Sequence, residues 1–283
     1  MTFAKYPSLA GRVVFVTGGA SGIGADIVRA FADNGSKVAF VDINDADGHA
    51  LVAELAGAEH QPVFMHCDLT EVSALQARIE EVGRTLGPIA VLVNNAANDD
   101  RKPIDDVDVE YWDNSQAINL RPQFFAAQAA AKQMKALGYG SIINFSSIAW
   151  RGGAANMTPY ATAKAAVGGL TRALARGLGN DNIRVNAIEP GAVMTARQRK
   201  LWYPDEAQVE AMVGRQMIKR AARLTCRLGT DRERRERQTR GEELHGRHLE
   251  AAEARLLPQD RERPCGVGHL SDATLGDHRS GAK

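Results

Sequence analysis

Cysteine is scarce in this 283-residue chain: Cys67, Cys226 and Cys265 are odd in number, lie far apart and include no C-x-x-C pair. That pattern argues against a disulfide framework and against a zinc site, and it fits a reducing cytoplasm. Long apolar runs are lacking too. None reaches the roughly 18 residues a membrane span needs, and the opening MTFAKYPSLAGR has no apolar core of the secretory kind. A soluble, cytoplasmic protein with no membrane partner is expected. Charge of one sign is not in excess either: 35 Lys and Arg stand against 34 Asp and Glu, a net +1, so the balance calls for no nucleic acid. No internal repeat is visible.

What is present is an alternation of short β-branched runs with longer stretches of helical periodicity. The predicted strands are VVFVT (Val13–Thr17), KVAFVD (Lys37–Asp42), VFMHC at 63–67, IAVLVN (Ile89–Asn94), SIINFS at 141–146 and IRVNAI (Ile183–Ile188). Most are nearly continuous apolar runs, as parallel strands covered on both faces should be. Helices are predicted over 22–34, 45–56, 71–86, 108–137 and 158–178, with Gly35 and Gly179 at C-terminal stops. The fold class implied is α/β, a Rossmann-like doubly wound parallel sheet with helices on both faces, in a single domain over 1–219.

Beyond about Arg220 the text changes character. The last aromatic residue is Tyr203, and runs such as DRERRERQTR carry charge without an apolar stripe. Residues 220–283 are expected to form a polar tail that stays disordered, since ordering a residue costs about 1–2 kcal/mol of backbone entropy with little burial to offset it.

Directly after the first strand comes Thr17-Gly18-Gly19-Ala20-Ser21-Gly22-Ile23-Gly24, with a helix beginning inside it. Gly18 permits the tight turn, Gly22 lets backbone approach a pyrophosphate, and Gly24 lets the helix pack on the strand, while the helix start offers free N–H groups. Asp42 ends the second strand, 18 residues past Gly24, near the offset at which a carboxylate accepts from adenosine ribose hydroxyls. It would repel a 2′-phosphate, and Ser21 is uncharged where a basic residue would help hold one. NAD is therefore expected in preference to NADP. Asp68, followed by Leu69, could bond the adenine amino group or cap the helix near Glu71. Asn94-Asn95-Ala96-Ala97 follows the fourth strand, where small residues leave room for a cofactor and the amides can brace backbone.

Tyr160 and Lys164 are four apart at the start of a predicted helix and so share a face. An ammonium beside a phenol, joined by the positive nicotinamide ring, favours phenolate and would let Tyr160 accept a hydroxyl proton. Ser147 ends the fifth strand, where its hydroxyl could hold the substrate oxygen. Adjacent Ser146 points the other way by alternation. Asn119 is an amide amid apolar residues, which requires a partner: a water leading to Lys164, or another helix.

With these pieces in place, the chain resembles the short-chain dehydrogenase/reductase family. The likeness rests on TGGASGIG at 17–24, Asp42, Asp68, NNAA at 94–97, Asn119, Ser147, YATAK at 160–164 and Pro190-Gly191, over about 1–218. It implies that Tyr160 is the acid/base, Lys164 binds the nicotinamide ribose and lowers the tyrosine pKa, Ser147 orients substrate, and Asn119 holds a relay water. It also assigns Gly18, Ser21, Gly22, Ile23, Gly24, Asp42, Asp68, Leu69, Asn95, Ala96, Pro190, Gly191 and Val193 to the cofactor. Ala97 departs from the usual NNAG.

The loop Asn98-Asp99-Asp100-Arg101, the run ending at Trp150, and the segment 195–203 with its WYP triplet resemble bacterial aldose 1-dehydrogenases of the xylose, arabinose and galactose type. Asn98, Asp99, Ser147, Trp150 and Tyr160 are then expected at a small sugar substrate oxidised to its lactone. A 3-oxoacyl or other carbonyl reductase is the alternative within the family, and an impaired nucleotide-binding protein the alternative outside it. The same resemblance implies a homotetramer or homodimer, no metal, and a closing helix, seventh strand and D-G-G sequence. Their absence after Arg220 suggests a shifted reading frame and puts the assembly surface and the activity in doubt.

Overall fold

A computed structural model describes residues 5–214 of the protein. Strands β1 (Val13–Thr17), β2 (Lys37–Asp42), β3 (Val63–His66), β4 (Ile89–Asn94), β5 (Gly140–Phe145) and β6 (Ile183–Ile188) form one sheet in the order β3-β2-β1-β4-β5-β6. Every pairing is parallel. Helices α1 (Gly22–Asp33), α2 (Asp45–Glu54), α3 (Val72–Thr85), α4 (Val109–Asn119), α5 (Arg121–Leu137), α6 (Thr158–Leu178), α7 (Ala196–Leu201) and α8 (Glu206–Gly214) complete the described part.

The apolar strands feed two cores because successive side chains face opposite ways. Val14 and Val16 pack with Val28 of α1 and Leu51 of α2, whereas Phe15 joins Leu75 and Ile79 of α3 and Met134 of α5 on the other face. Full burial of a side chain such as Phe15 contributes about 1.5–3 kcal/mol, so β1 anchors both layers. The strand order reverses at β1 and β4. Their carboxyl ends therefore frame the crevice in which open α/β sheets bind ligands.

Two expectations are corrected. The single helix predicted over 108–137 is two, α4 and α5, broken at Leu120 (φ −125°, ψ −56°). Pro122 has no N–H to give to the carbonyl four residues back, and its ring crowds that turn. The third strand is not sheathed on both faces: it forms one edge, and Val63 is 39% exposed. Among the described residues β6 is the opposite edge, with Ile183 and Val185 buried beneath α6 while Arg184, Asn186 and Ile188 face outwards. The expectations for 220–283 and for a seventh strand fall outside the described residues.

Candidate active site

The loop from β1 into α1 is shaped by glycine where the backbone requires it. Gly18 and Gly22 have φ of +66° and +55°, and a Cβ on Gly18 would lie 2.7 Å from Ala96 Cα. One on Gly24 would collide with the Gly18 carbonyl oxygen. No side chain caps the start of α1 at Ser21, so its first-turn N–H groups, carrying the positive end of the helix dipole, face the crevice. This cradle fits a pyrophosphate. Asn95 braces it, donating from Nδ2 to the Gly18 carbonyl (2.9 Å) and from its backbone N–H to Thr17 Oγ1 (3.1 Å). Ala96 N–H shares the same hydroxyl at 3.3 Å.

Asp42 accepts from Ala20 N–H at 3.0 Å and from Asn44 N–H at 3.1 Å, which ties a carboxylate to the rim of the loop. Asp68 is exposed and turns back on Thr70, accepting from its N–H (2.9 Å) and hydroxyl (2.8 Å). Its Oδ1 is thus occupied just ahead of α3, while Leu69 packs on the core. The segment after β6 crosses the crevice: the Pro190 carbonyl accepts from Ile148 N–H (3.2 Å), Val193 O accepts from Thr195 N–H (2.9 Å), and Thr195 sits against Gly22. Gly191 lies beside Ile148.

Ser147, Tyr160 and Lys164 meet at the carboxyl edge of β5. Ser146, on the opposite face, is buried and donates to the Lys164 carbonyl at 2.6 Å, which locks α6 onto the strand end. The Ser147 hydroxyl accepts from Ala149 N–H at 3.1 Å and stands beside the Tyr160 phenol. Lys164 is 1% exposed, its nitrogen 5.6 Å from the centre of the Tyr160 ring and 2.9 Å from the Phe145 carbonyl oxygen to which it donates. Burial pulls its pKa down to about 7.

Among the protein's own groups, burial raises the Tyr160 pKa, the Ser147 hydroxyl lowers it, and the Asp99 carboxylate raises it again. The Lys164 amine, 5.6 Å from the centre of the Tyr160 ring, bonds to the Phe145 carbonyl.

Asn119 is fully buried, and its amide is occupied. Oδ1 accepts from Asn98 N–H (3.0 Å), and Nδ2 donates to the Asn98 carbonyl (3.1 Å) and the Ser115 carbonyl (3.0 Å). The side chain therefore clamps the 98–100 loop, and its backbone carbonyl accepts from Gln123 Nε2 at 3.1 Å.

The 98–100 loop is gripped from above as well. Arg197 of α7 donates to Asn98 Oδ1 (2.8 Å), Asp100 Oδ1 (3.2 Å) and Asp99 Oδ1 (3.3 Å), and Gln198 Nε2 donates to Asp99 Oδ2 at 2.7 Å. Asp99 keeps 16% exposure and acts on Tyr160, so the loop borders the reacting hydroxyl. Arg101 lies 4.1 Å above the Trp202 ring, which makes α7 a cover fastened at both ends. Trp150 packs under Arg151, whose guanidinium lies 4.3 Å from its ring centre, and Arg151 pairs with Glu189.

Asn144, Thr171 and Gln123 were not singled out from sequence. Asn94 Nδ2 donates to Asn144 Oδ1 (2.9 Å), and Asn144 Nδ2 donates to Thr171 Oγ1 (3.0 Å), a buried amide ladder linking β4, β5 and α6. Gln123 is 3% exposed and bonds from Nε2 to the Asn119 and Phe145 carbonyls, yet its Oε1 has no partner among the described residues. An unpaired buried acceptor of this kind costs about 1–3 kcal/mol. Amides standing inside apolar strands and helices were the available signal, as with Asn119.

Residues 12–206 match the family model described as short chain dehydrogenase. The chain belongs to the short-chain dehydrogenase family. As a member it is a dehydrogenase acting on CH–OH groups. It is 47% identical over 235 residues to the D-xylose 1-dehydrogenase of Caulobacter vibrioides, spanning 82% of this chain and 93% of that protein. To a Rhizobium meliloti protein named "Probable galactose dehydrogenase GalD" it is 49% identical over 218 residues, 77% of this chain and 85% of that one. Among solved structures, an NAD⁺-bound xylitol dehydrogenase superposes with a TM-score of 0.71 at 29% identity, covering 76% of this chain and 88% of the other. A Beutenbergia cavernae protein described as a candidate NAD(P)-dependent gluconate 5-dehydrogenase, with NADP bound at low occupancy, gives the same TM-score at 31% identity, covering 76% and 86%. This short-chain dehydrogenase therefore has relatives of the same fold crystallised with either dinucleotide.

Proposed function

We propose that the chain oxidises an aldose at its anomeric hydroxyl to the lactone, with NAD preferred over NADP. The observation that carries this reading is the meeting of Tyr160, Ser147 and Lys164 at the sheet edge beside a glycine loop shaped for a pyrophosphate. A bound nicotinamide dinucleotide would supply the hydride acceptor and, from its ring, positive charge beside Tyr160. Gly18, Ser21, Gly22, Ile23, Gly24, Asn95 and Ala96 would hold its phosphates and nearby sugar. Asp42, Asp68 and Leu69 would border its adenosine, with Pro190, Gly191 and Val193 closing over the other end.

In the reaction Ser147 holds the substrate oxygen and Tyr160 takes the proton of the hydroxyl as the hydride leaves the same carbon. Lys164 lies behind the phenol and favours its ionised form whenever the amine is charged. Asp42 supports NAD because a carboxylate at the rim of the loop repels a 2′-phosphate. A sugar is favoured by the polar Asn98, Asp99 and Asp100 loop beside Tyr160, and by the xylose and galactose names of the relatives. Trp150 is the weaker candidate for a sugar contact, since its ring is covered by Arg151.

A panel of aldoses assayed with NAD and with NADP, comparing the unmodified protein with Tyr160→Phe, tests the reading. NADH formation on at least one aldose that disappears in the variant is expected. Equal rates in the two proteins would remove Tyr160 as the base, and NAD binding without turnover would favour a nucleotide-binding protein. A homo-oligomer in the cytoplasm is the accompanying proposal. Among the described residues no helix is long and apolar enough to cross a membrane.

A further inference from the structure

Gln123 lies on the first turn of α5, immediately after the break at Leu120. Its own carbonyl accepts from Asn94 Nδ2 at 3.1 Å, which fixes that turn to the end of β4. Its side-chain Nε2 then bridges two backbone carbonyls, Asn119 O at 3.1 Å and Phe145 O at 3.3 Å. The orientation of the amide is determined by these neighbours, because both are acceptors and the reversed amide would aim oxygen at oxygen. Phe145 O is also the acceptor that Lys164 Nζ reaches, at 2.9 Å. One carbonyl thus serves both the catalytic lysine and a glutamine on another element.

A methionine or leucine of similar volume would carry no unpaired oxygen, yet the glutamine stands here with its Oε1 unpaired among the described residues and its Nε2 given to two carbonyls. Buried groups of this sort are rare and call for an explanation beyond packing. We propose that Gln123 is a positioning residue for Lys164: by sharing the Phe145 carbonyl it sets where the amine sits and how strongly its charged form is held. The inference rests on the reading of Lys164 as part of the catalytic set.

The direction of the effect follows from charge. A carbonyl that already accepts from Gln123 has less negative charge to offer a second donor, and the N–H dipole of the amide presents its positive end towards the ammonium. Both disfavour the charged lysine, adding to what burial does. Among the described residues no charged group acts on Lys164. The elements packed around Lys164 present neutral groups, namely Asn119 and Gln123 from α4 and α5 and the Phe145 carbonyl from β5, and Tyr160 is the titratable neighbour on α6. Asp99 on the 98–100 loop acts on Tyr160, and burial alone moves Lys164.

The test is Gln123→Met, which keeps the volume and removes both donors, with Gln123→Leu as the second variant should the first fold poorly. The Lys164 Nζ is titrated by ¹⁵N NMR, its signal assigned by loss in Lys164→Met. An upward move of the lysine pKa by about half a unit or more is expected, with the limb of kcat against pH that follows the amine moving up by the same amount and KM values within about two-fold. A pure packing role leaves the titration where it was in both variants, and that result overturns the proposal whatever the kinetics. If the unmodified protein turns over no aldose, the aldose reading fails while the NMR titration still decides the role of Gln123.

Discussion

Lys164→Met is expected to abolish turnover and to make the folded chain more stable at and below neutral pH, because the buried amine is a charge the fold holds at a loss. In the folded protein Lys164 has a pKa of about 7, against 10.5 for the free side chain. Below pH 7 both states carry the proton and the folded state bears the whole penalty, about 5 kcal/mol for a displacement of that size. As pH rises from 7 towards 10.5 the folded state gives up its proton first, so the penalty is relieved and the unmodified protein gains stability. Against this stands the lost Lys164–Phe145 bond, about 1.5–3 kcal/mol for a charged donor. The net gain for the variant at pH 6 is then about 2–3 kcal/mol, or roughly 4–10 °C in Tm for a domain of this size. Met fits the space, and the Phe145 carbonyl keeps its bond from Gln123. Denaturant titrations of both proteins from pH 6 to pH 10 read the difference, which should shrink with pH and change sign near the top of the range. A variant less stable at every pH, or a difference that does not move with pH, would refute the picture of a desolvated cation.

The remaining expectations follow from single contacts. Gly24→Ala should lose dinucleotide binding, since its Cβ would press on the Gly18 carbonyl and on Asn95 Nδ2; quenching of NADH fluorescence by titration with the protein measures this, and unaltered affinity would contradict the cradle. Asp42→Asn keeps an amide oxygen to accept from Ala20 or Asn44 but removes the charge, and should shift the ratio of kcat/KM for NADP against NAD by about 10–100-fold towards NADP. Asp99→Asn removes a charge that raises the Tyr160 pKa, so the acidic limb of kcat against pH should move to lower pH, and a limb moving upward would exclude Asp99 as its cause. Arg197→Ala frees the 98–100 loop and should raise the KM for sugar by about ten-fold with a smaller change in kcat, while Arg197→Lys recovers only part because a compact ammonium cannot span the oxygens that the Nε and Nη2 of a planar guanidinium reach.

The residues legible from the sequence are those whose geometry is local. TGGASGIG lies between a strand and a helix, Asp42 stands at a fixed remove along the next strand, and Tyr160 and Lys164 are one helical turn apart, so each relation could be read without knowing the rest of the fold. The six strands were legible for the same reason, since an apolar run of five or six β-branched residues has few other uses. The helix break at Leu120 was less visible because the apolar pattern continues through it, and Pro122 is the only residue there that refuses the continuous helix.

The contacts that the sequence leaves open are those made to backbone carbonyls or across a hundred residues of chain. Asn119 illustrates the limit: an amide in an apolar run announces that a partner exists and says nothing of which one, and here the partner is the Asn98 backbone. Arg197 meets Asn98 only after the chain has crossed the sheet, and no spacing encodes that meeting. The carbonyls of Phe145, Lys164 and Gly18 orient the lysine, the helix that bears it and the phosphate loop, and any residue type supplies a carbonyl. Substitution at those positions would leave the acceptors intact. The donors, Ser146, Gln123 and Asn95, are therefore where the supporting structure of this site can be perturbed by mutation.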